Sequence, residues 1–143
     1  VNAEVSAEWR QRIAARAKYC CEYCRAPLFL VAAVTTFHVE HIMPRSRGGH
    51  TVDNNLALSC PNCNLHKAAR ISAVDPETAE AFPLFNPRTR AWDEHFAFSA
   101  DHAHILGLTP IGRATVVALR FNNPEHVAAR QLWVAGGWYP PPD

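Results

Sequence analysis

No stretch of this chain is apolar for long enough to cross a bilayer. The longest apolar run, Leu28 to Val34, ends at Thr35 and Thr36, far short of the ~20 residues that a spanning helix needs. The opening VNAEVSAEWRQR is polar and charged and has no apolar segment of a secretory signal, so the expected location is cytoplasmic, with no membrane partner. Charged residues make up only 19% of the chain against 48% apolar, a balance that excludes a disordered polyelectrolyte and favours a globular protein. No internal repeat is present. At 143 residues the default is a single domain, 1–143. Cysteine is absent after residue 63, so whatever the cysteines do, they do in the first half.

Five cysteines are present, Cys20, Cys21, Cys24, Cys60 and Cys63. An odd count without a secretory signal argues against a disulfide framework, since cytosolic thiols are kept reduced. Cys21-Glu22-Tyr23-Cys24 and Cys60-Pro61-Asn62-Cys63 are two C-x-x-C pairs, and each such turn supplies two donors at the separation that tetrahedral zinc needs. A redox pair would use one and leave the other idle; ordinary buried cysteines are the plainer reading, but they do not require paired spacing. Cys20 is the spare, read as a packed thiol, with use in a C-x-x-x-C arrangement as the alternative. Four thiolates leave no open position on the metal, so the zinc is expected to be scaffold. It would tie the end of the first helix to the start of the helix after Cys60.

Ser6 can cap a helix over about 7–18, with Glu8 in the first turn and Trp9, Ile13 and Ala17 at helical spacing. LFLVAAVTTFHVEHI is rich in β-branched and aromatic residues and predicts extended structure, either a hairpin or a strand with a preceding loop. TVDNNLALS predicts a polar loop entering a short apolar segment, and CPNCNLHKAAR a knuckle running into a helix of about two turns. From Asp75 to Arg90 the text reads as loop, punctuated by Pro76, Pro83 and Pro87. FAFSADHAHILGL predicts a small hairpin turning at Ser99 to His102. Thr109-Pro110 and Asn123-Pro124 each pair a capping side chain with Pro at the first helical position. They predict helices running to about Arg120 and to Gly136-Gly137. Trp92, Phe96, Phe98, Leu106, Val116, Leu119, Leu132 and Trp133 are expected in the core.

Between the cysteine pairs stands HVEHIMPRSRGG, two histidines and a carboxylate in four residues followed by two arginines and a Gly-Gly turn. A structural strand would keep apolar residues at alternate positions, so this crowding reads as a site. His41 can take a proton from water near neutral pH. Glu40 is a hard anionic donor and Asn64 a neutral oxygen donor, together suited to Mg²⁺, which fills its other positions with water and phosphate. Arg45, Arg47 and Lys67 are the candidates for holding phosphate. Strict alternation would put Glu40 and His41 on opposite faces, so one shared centre needs a twist or two directions of approach. His38, His50 and His66 are read as surface or supporting residues. Residues 1–70 hold nine Lys/Arg against five Asp/Glu, and 71–143 five against eight; the positive first half is suited to a polyanion.

CEYC, HVEHIMPRSRGG and NNLALSCPNCNLHK, in that order, closely resemble the HNH endonuclease family over about residues 20–70. The resemblance implies an α+β fold built on a ββα-metal (His-Me finger, treble-clef-like) core, with 71–143 as a helical and hairpin extension similar to those of small stand-alone bacterial members. It implies that His41 is the general base, Glu40 the acidic metal contact, and Asn55 the residue that holds the loop so that the histidine faces the scissile phosphate. Asn64 stands where the family often has His and completes the site for Mg²⁺ or Mn²⁺. The implied function is metal-dependent hydrolysis of DNA, with RNA as the alternative substrate. The rival reading is a zinc-stabilised nucleic-acid-binding module without catalysis.

Overall fold

Ser6 opens the first helix by accepting a hydrogen bond from Trp9 N at 3.2 Å, the satisfaction of an orphan N–H that makes serine a good cap. The helix, α1 (Ala7–Arg16), ends two residues earlier than the sequence predicts, because Lys18 and Tyr19 turn left-handed at φ 56° and 58°. The computed structural model describes residues 6–31 and 36–142, which form two compact units, 1–71 and 72–143.

In the first unit the expected extended run over LFLVAAV is instead a single helical turn, α2 (Leu28–Val31). Pro27 presets the first-turn φ, and its carbonyl accepts from Leu30 N at 3.2 Å. Leu28, Phe29 and Leu30 are not β-branched, so nothing in them opposes a helical turn. Residues 32–35 of that run lie outside the described residues. The chain then forms β1 (His38–His41), which pairs antiparallel with β2 (Leu56–Ser59) in the register His38↔Ser59 and His41↔Leu56, and enters α3 (Pro61–Lys67). The strand LALS is buried at all four positions, and α1 packs on it through Ile13, which is fully buried. The order is therefore strand, strand, helix, with Tyr23, Val39, Leu56 and Leu58 filling the core.

The second unit starts with a hairpin, β3 (Ser72–Val74) and β4 (Ala81–Pro83), where the sequence predicts only loop after Asp75. Three-residue strands, one ending in proline, are too short to show alternation. The turn is held by Asp75, whose N–H reaches Glu80 O at 2.8 Å and whose Oδ1 accepts from Glu77 N at 3.1 Å. Then come α4 (Trp92–His95), the predicted hairpin of β5 (Phe96–Phe98) and β6 (Ile105–Gly107), and two helices, α5 (Pro110–Ala118) and α6 (Pro124–Ala135). Thr109 and Asn123 cap them as expected, accepting from Gly112 N and His126 N. Phe85, Trp92, Phe96 and Phe121 form an aromatic core. Leu106 and Leu132, expected in it, are exposed. No described helix is long and apolar enough to cross a membrane.

Candidate active site

The two cysteine turns are built by different local means. After α1, the left-handed residues Lys18 and Tyr19 swing the chain into CEYC, where Arg25 N donates to Cys21 O and Cys21 N to Ala26 O, both at 2.9 Å. Glu22 docks this turn on β2: its N–H donates to Leu58 O and its Oε2 accepts from Leu58 N, each at 2.9 Å. In the second turn Cys60 caps α3, its Sγ accepting from Cys63 N at 3.4 Å, with Pro61 in the first helical turn. The four Sγ atoms of Cys21, Cys24, Cys60 and Cys63 lie within 4.8 Å of one another, all buried, with Cys24 and Cys60 Sγ 3.6 Å apart. A zinc tetrahedron with ~2.3 Å arms has edges of about 3.8 Å, so these four, drawn in by a few tenths of an ångström to about 1 Å at most, could hold a zinc ion. Burial pushes the Cys21 thiol up, but hydrogen bonds from Cys24, Cys60 and Cys63 outweigh it and bring it well below the usual thiol range. Burial and the neighbouring thiols push Cys63 up. A cluster in which one thiolate gathers its neighbours' protons is what a cation would convert to four thiolates. Cys20 stands outside the cluster, buried beside Pro27 in an isolated backbone bridge.

Glu40 points into the unit, only 7% exposed. Its Oε1 accepts from the Tyr23 hydroxyl, and its Oε2 lies 3.1 Å from Lys67 Nζ. Burial pushes the Glu40 carboxyl up, against the pull of Lys67 and Tyr23; burial and the nearby Glu40 charge push the Tyr23 hydroxyl up as well, so Tyr23 stays a donor. Lys67 departs from its expected place. It is 2% exposed, and Nζ also donates to Ile42 O at 2.9 Å and to His41 O at 3.4 Å. A buried ammonium needs such partners to offset its desolvation, and it braces the end of α3 against β1 instead of reaching a phosphate at the surface.

His41 and Glu40 nevertheless line the same open groove, of about 380 Å³, together with Arg45 and Asn64. Both are paired residues of β1, opposite Ala57 and Leu56, at the end where the groove opens. His41 Nε2 lies 2.8 Å from Thr51 Oγ1. Asn64 sits half-buried in the first turns of α3. Arg45 and Arg47 are exposed on a short 3₁₀ turn closed by Gly48 at φ 88°; Arg47 Nε donates to Ala69 O at 2.8 Å.

Asn55 joins both edges of the loop between the strands. Its Oδ1 accepts from Met43 N at 2.8 Å, and its Nδ2 donates to Met43 O at 3.0 Å and His50 O at 2.9 Å. Gly49 lies so close to the Met43 carbonyl that an added Cβ would stand 1.8 Å from its oxygen. The Gly-Gly pair therefore does two jobs, a left-handed turn and a close backbone approach. From outside, Arg16 of α1 donates to Asp53 O at 2.8 Å and Leu56 O at 2.6 Å, beside an Arg12–Asp53 ion pair of 2.9 Å. Of the other histidines, His66 holds Asn62 O through Nδ1, His50 is exposed, and His38 pairs across from Ser59.

Tyr23, Thr51, Glu22 and Arg16 are site residues that sequence reasoning missed. Tyr23 carried the one available signal, an aromatic inside a metal turn; the others have partners distant in sequence and no local signature.

A family model, that of the HNH endonuclease, matches the chain over residues 21–70. No curated protein and no solved structure matches it. The matched span opens on Cys21, takes in all four clustered cysteines and the His41 groove, and closes after α3: residues 21–70 match the HNH endonuclease domain and contain a four-cysteine site that could hold zinc.

Proposed function

We propose that this protein is a metal-dependent endonuclease that hydrolyses DNA phosphodiester bonds, with His41 as the general base. The observation that carries the reading is the groove shared by His41, Glu40 and Asn64, beside which Arg45 stands exposed. An imidazole there can accept a proton from water as the water oxygen bonds to phosphorus. The bond from phosphorus to the 3′ oxygen breaks and that oxygen takes a proton from solvent water, leaving a 5′ phosphate and a 3′ hydroxyl. Arg45 and Arg47, on the turn at the groove's edge, are suited to hold the flanking phosphates by charge-assisted hydrogen bonds; Lys67, buried under the groove, serves as a brace.

The donor set suits a hard cation. A carboxylate offers about four lone-pair positions; Tyr23 and Lys67 take one on each oxygen of Glu40, and Glu40 is among the residues lining the groove. Glu40 and Asn64 would hold Mg²⁺ or Mn²⁺ by two oxygens, as such ions commonly accept. When bound, the ion supplies neutralisation of charge on a nonbridging oxygen and on the leaving 3′ oxygen. Asn55 keeps the loop closed so that His41 stays at the groove.

The Glu40–Lys67 pair also favours a second reading, because it gives Glu40 a structural use that needs no catalysis: a zinc-stabilised module that binds nucleic acid through phosphate contacts. Incubation of the purified zinc protein with supercoiled and linear DNA, with Mg²⁺, with Mn²⁺ and with neither, separates the two. Cleavage that needs a divalent ion and disappears in His41→Ala supports the nuclease. A mobility shift without cleavage in any condition would leave only the binding module.

A further inference from the structure

We propose that Arg16, the last residue of α1 and ahead of the matched span, is a positioning residue of the groove: its guanidinium ties residues 53–56 to the helix and so fixes the end of the β1–β2 ribbon at which Glu40 and His41 stand. For its catalytic part the assignment deepens the nuclease reading and rests on it.

Arg16 Nη1 donates to Asp53 O at 2.8 Å and Nη2 to Leu56 O at 2.6 Å. The direction of both bonds is fixed, since a guanidinium has five N–H donors and no acceptor. One planar fork therefore spans the 3₁₀ turn Asp53–Asn55 from its first residue to the first residue of β2. Leu56 stands opposite His41 in the ribbon, and Ile42 N donates to Asn55 O at 2.9 Å. The two carbonyls held by Arg16 thus flank Asn55, whose side chain closes the loop on Met43 and His50.

The ribbon needs such a hold. Its two strands have only four residues each, and an isolated two-stranded ribbon is marginal in water. In an antiparallel pair, residues two apart turn their backbone groups toward the same edge. Leu58 gives both its N–H and its carbonyl to Glu22, and Leu56 gives its carbonyl to Arg16. One edge of β2 is clamped twice, by the first cysteine turn at Leu58 and by α1 at the groove end.

The helix delivers the guanidinium through its own packing. Ile13 is fully buried where α1 meets β2, and Arg12 and Arg16, four residues apart, share a helix face. Arg12 reaches only the Asp53 carboxylate, in an ion pair with side chains 50% and 63% exposed, a kind of contact that contributes little. Arg16 takes the main chain itself. A lysine there would bring a point charge on a flexible stem in place of a rigid fork.

The test follows backbone amide exchange by NMR in zinc protein free of Mg²⁺ and DNA, for wild type, Arg16→Met, Arg16→Lys and Arg12→Met. Arg16→Met is expected to speed exchange at Ile42 and Met43 about tenfold or more, as a local opening, with the Cys21 and Arg25 amides of the first cysteine turn unchanged. Arg16→Lys should fall between, and Arg12→Met should match wild type. In cleavage assays Arg16→Met should lower kcat about tenfold or more, as for a displaced reacting group, with KM unchanged and Arg16→Lys recovering part of the loss. Wild-type exchange at Ile42 and Met43, equal acceleration throughout the first unit, or an Arg12→Met protein that behaves as Arg16→Met overturns the assignment. Should Arg16→Met fail to fold, Arg16→Lys decides by the same comparisons. Exchange needs no activity, so absence of all cleavage would refute the nuclease reading while the Ile42 and Met43 amides still decide the role of Arg16.

Discussion

The carboxylate of Glu40 and the ammonium of Lys67 lie 3.1 Å apart, with side-chain exposures of 7% and 2%. Removing one partner of such a pair strands the other charge, at a cost of about 3–5 kcal/mol. Lys67→Met is therefore expected to destabilise the first unit by that order, measured by urea unfolding of the zinc-loaded protein. Adding Glu40→Gln should restore much of the loss. A Lys67→Met protein of unchanged stability but weakened DNA affinity would mean that Lys67 reaches phosphate after all.

Zinc stripped by a strong chelator should unfold residues 21–70, since structural zinc contributes on the order of 10 kcal/mol in small domains. Elemental analysis should find one zinc per chain in wild type and a loss of it in Cys60→Ser. Cys20→Ser, outside the four-sulfur cluster, should keep the metal.

Asn55 satisfies three backbone groups of the loop with one side chain. Asn55→Ala should cost about 1–2 kcal/mol, less than three full hydrogen bonds because water reaches this loop. Asn55→Asp should be the worse enzyme, since it sets a carboxylate against the carbonyls of Met43 and His50. In the same loop Gly49→Ala is expected to be more damaging than Gly48→Ala: the first meets the Met43 carbonyl, the second meets nothing within 4 Å and strains only φ. Thermal unfolding and cleavage rates of the four variants give the order directly.

In the second unit, hydrogen bonds from Arg113 at 2.9 and 3.0 Å hold the buried Asp75 carboxyl well below its usual 3.8. A carboxyl depressed on folding contributes stability that is complete above its unfolded pKa and is lost as pH falls toward the folded value. The thermal midpoint should therefore drop as pH is lowered below about 4. Asp75→Asn should lie below wild type at neutral pH and converge with it in acid. Parallel curves at all pH values would remove this pair from the acid response.

Features decided within a few residues were the ones that could be read in the sequence. Ser6, Thr109 and Asn123 cap helices through N–H groups three positions on, and Pro110 and Pro124 have the φ a first turn needs. Each C-x-x-C pair is likewise a local turn, so the candidate metal site and the hairpin at Ser99 to His102 were legible. The β3–β4 hairpin was not, because its strands are shorter than any period that would reveal them. Neither was the helical turn at Leu28–Val31, where Pro27 starts a turn that Leu28, Phe29 and Leu30, none of them β-branched, can continue.

The sequence by itself determined that two cysteine pairs bracket a histidine, a carboxylate and a Gly-Gly turn, and that this order resembles a nuclease. Only the tertiary structure decided which of those groups face water. It folded Lys67 under Glu40, turned Tyr23 onto the same carboxylate, and set Thr51 on His41. The reason is physical: helix caps and metal turns are short-range and nearly independent of context, whereas the desolvation that makes a lysine a brace exists only once strands and helix have closed around it.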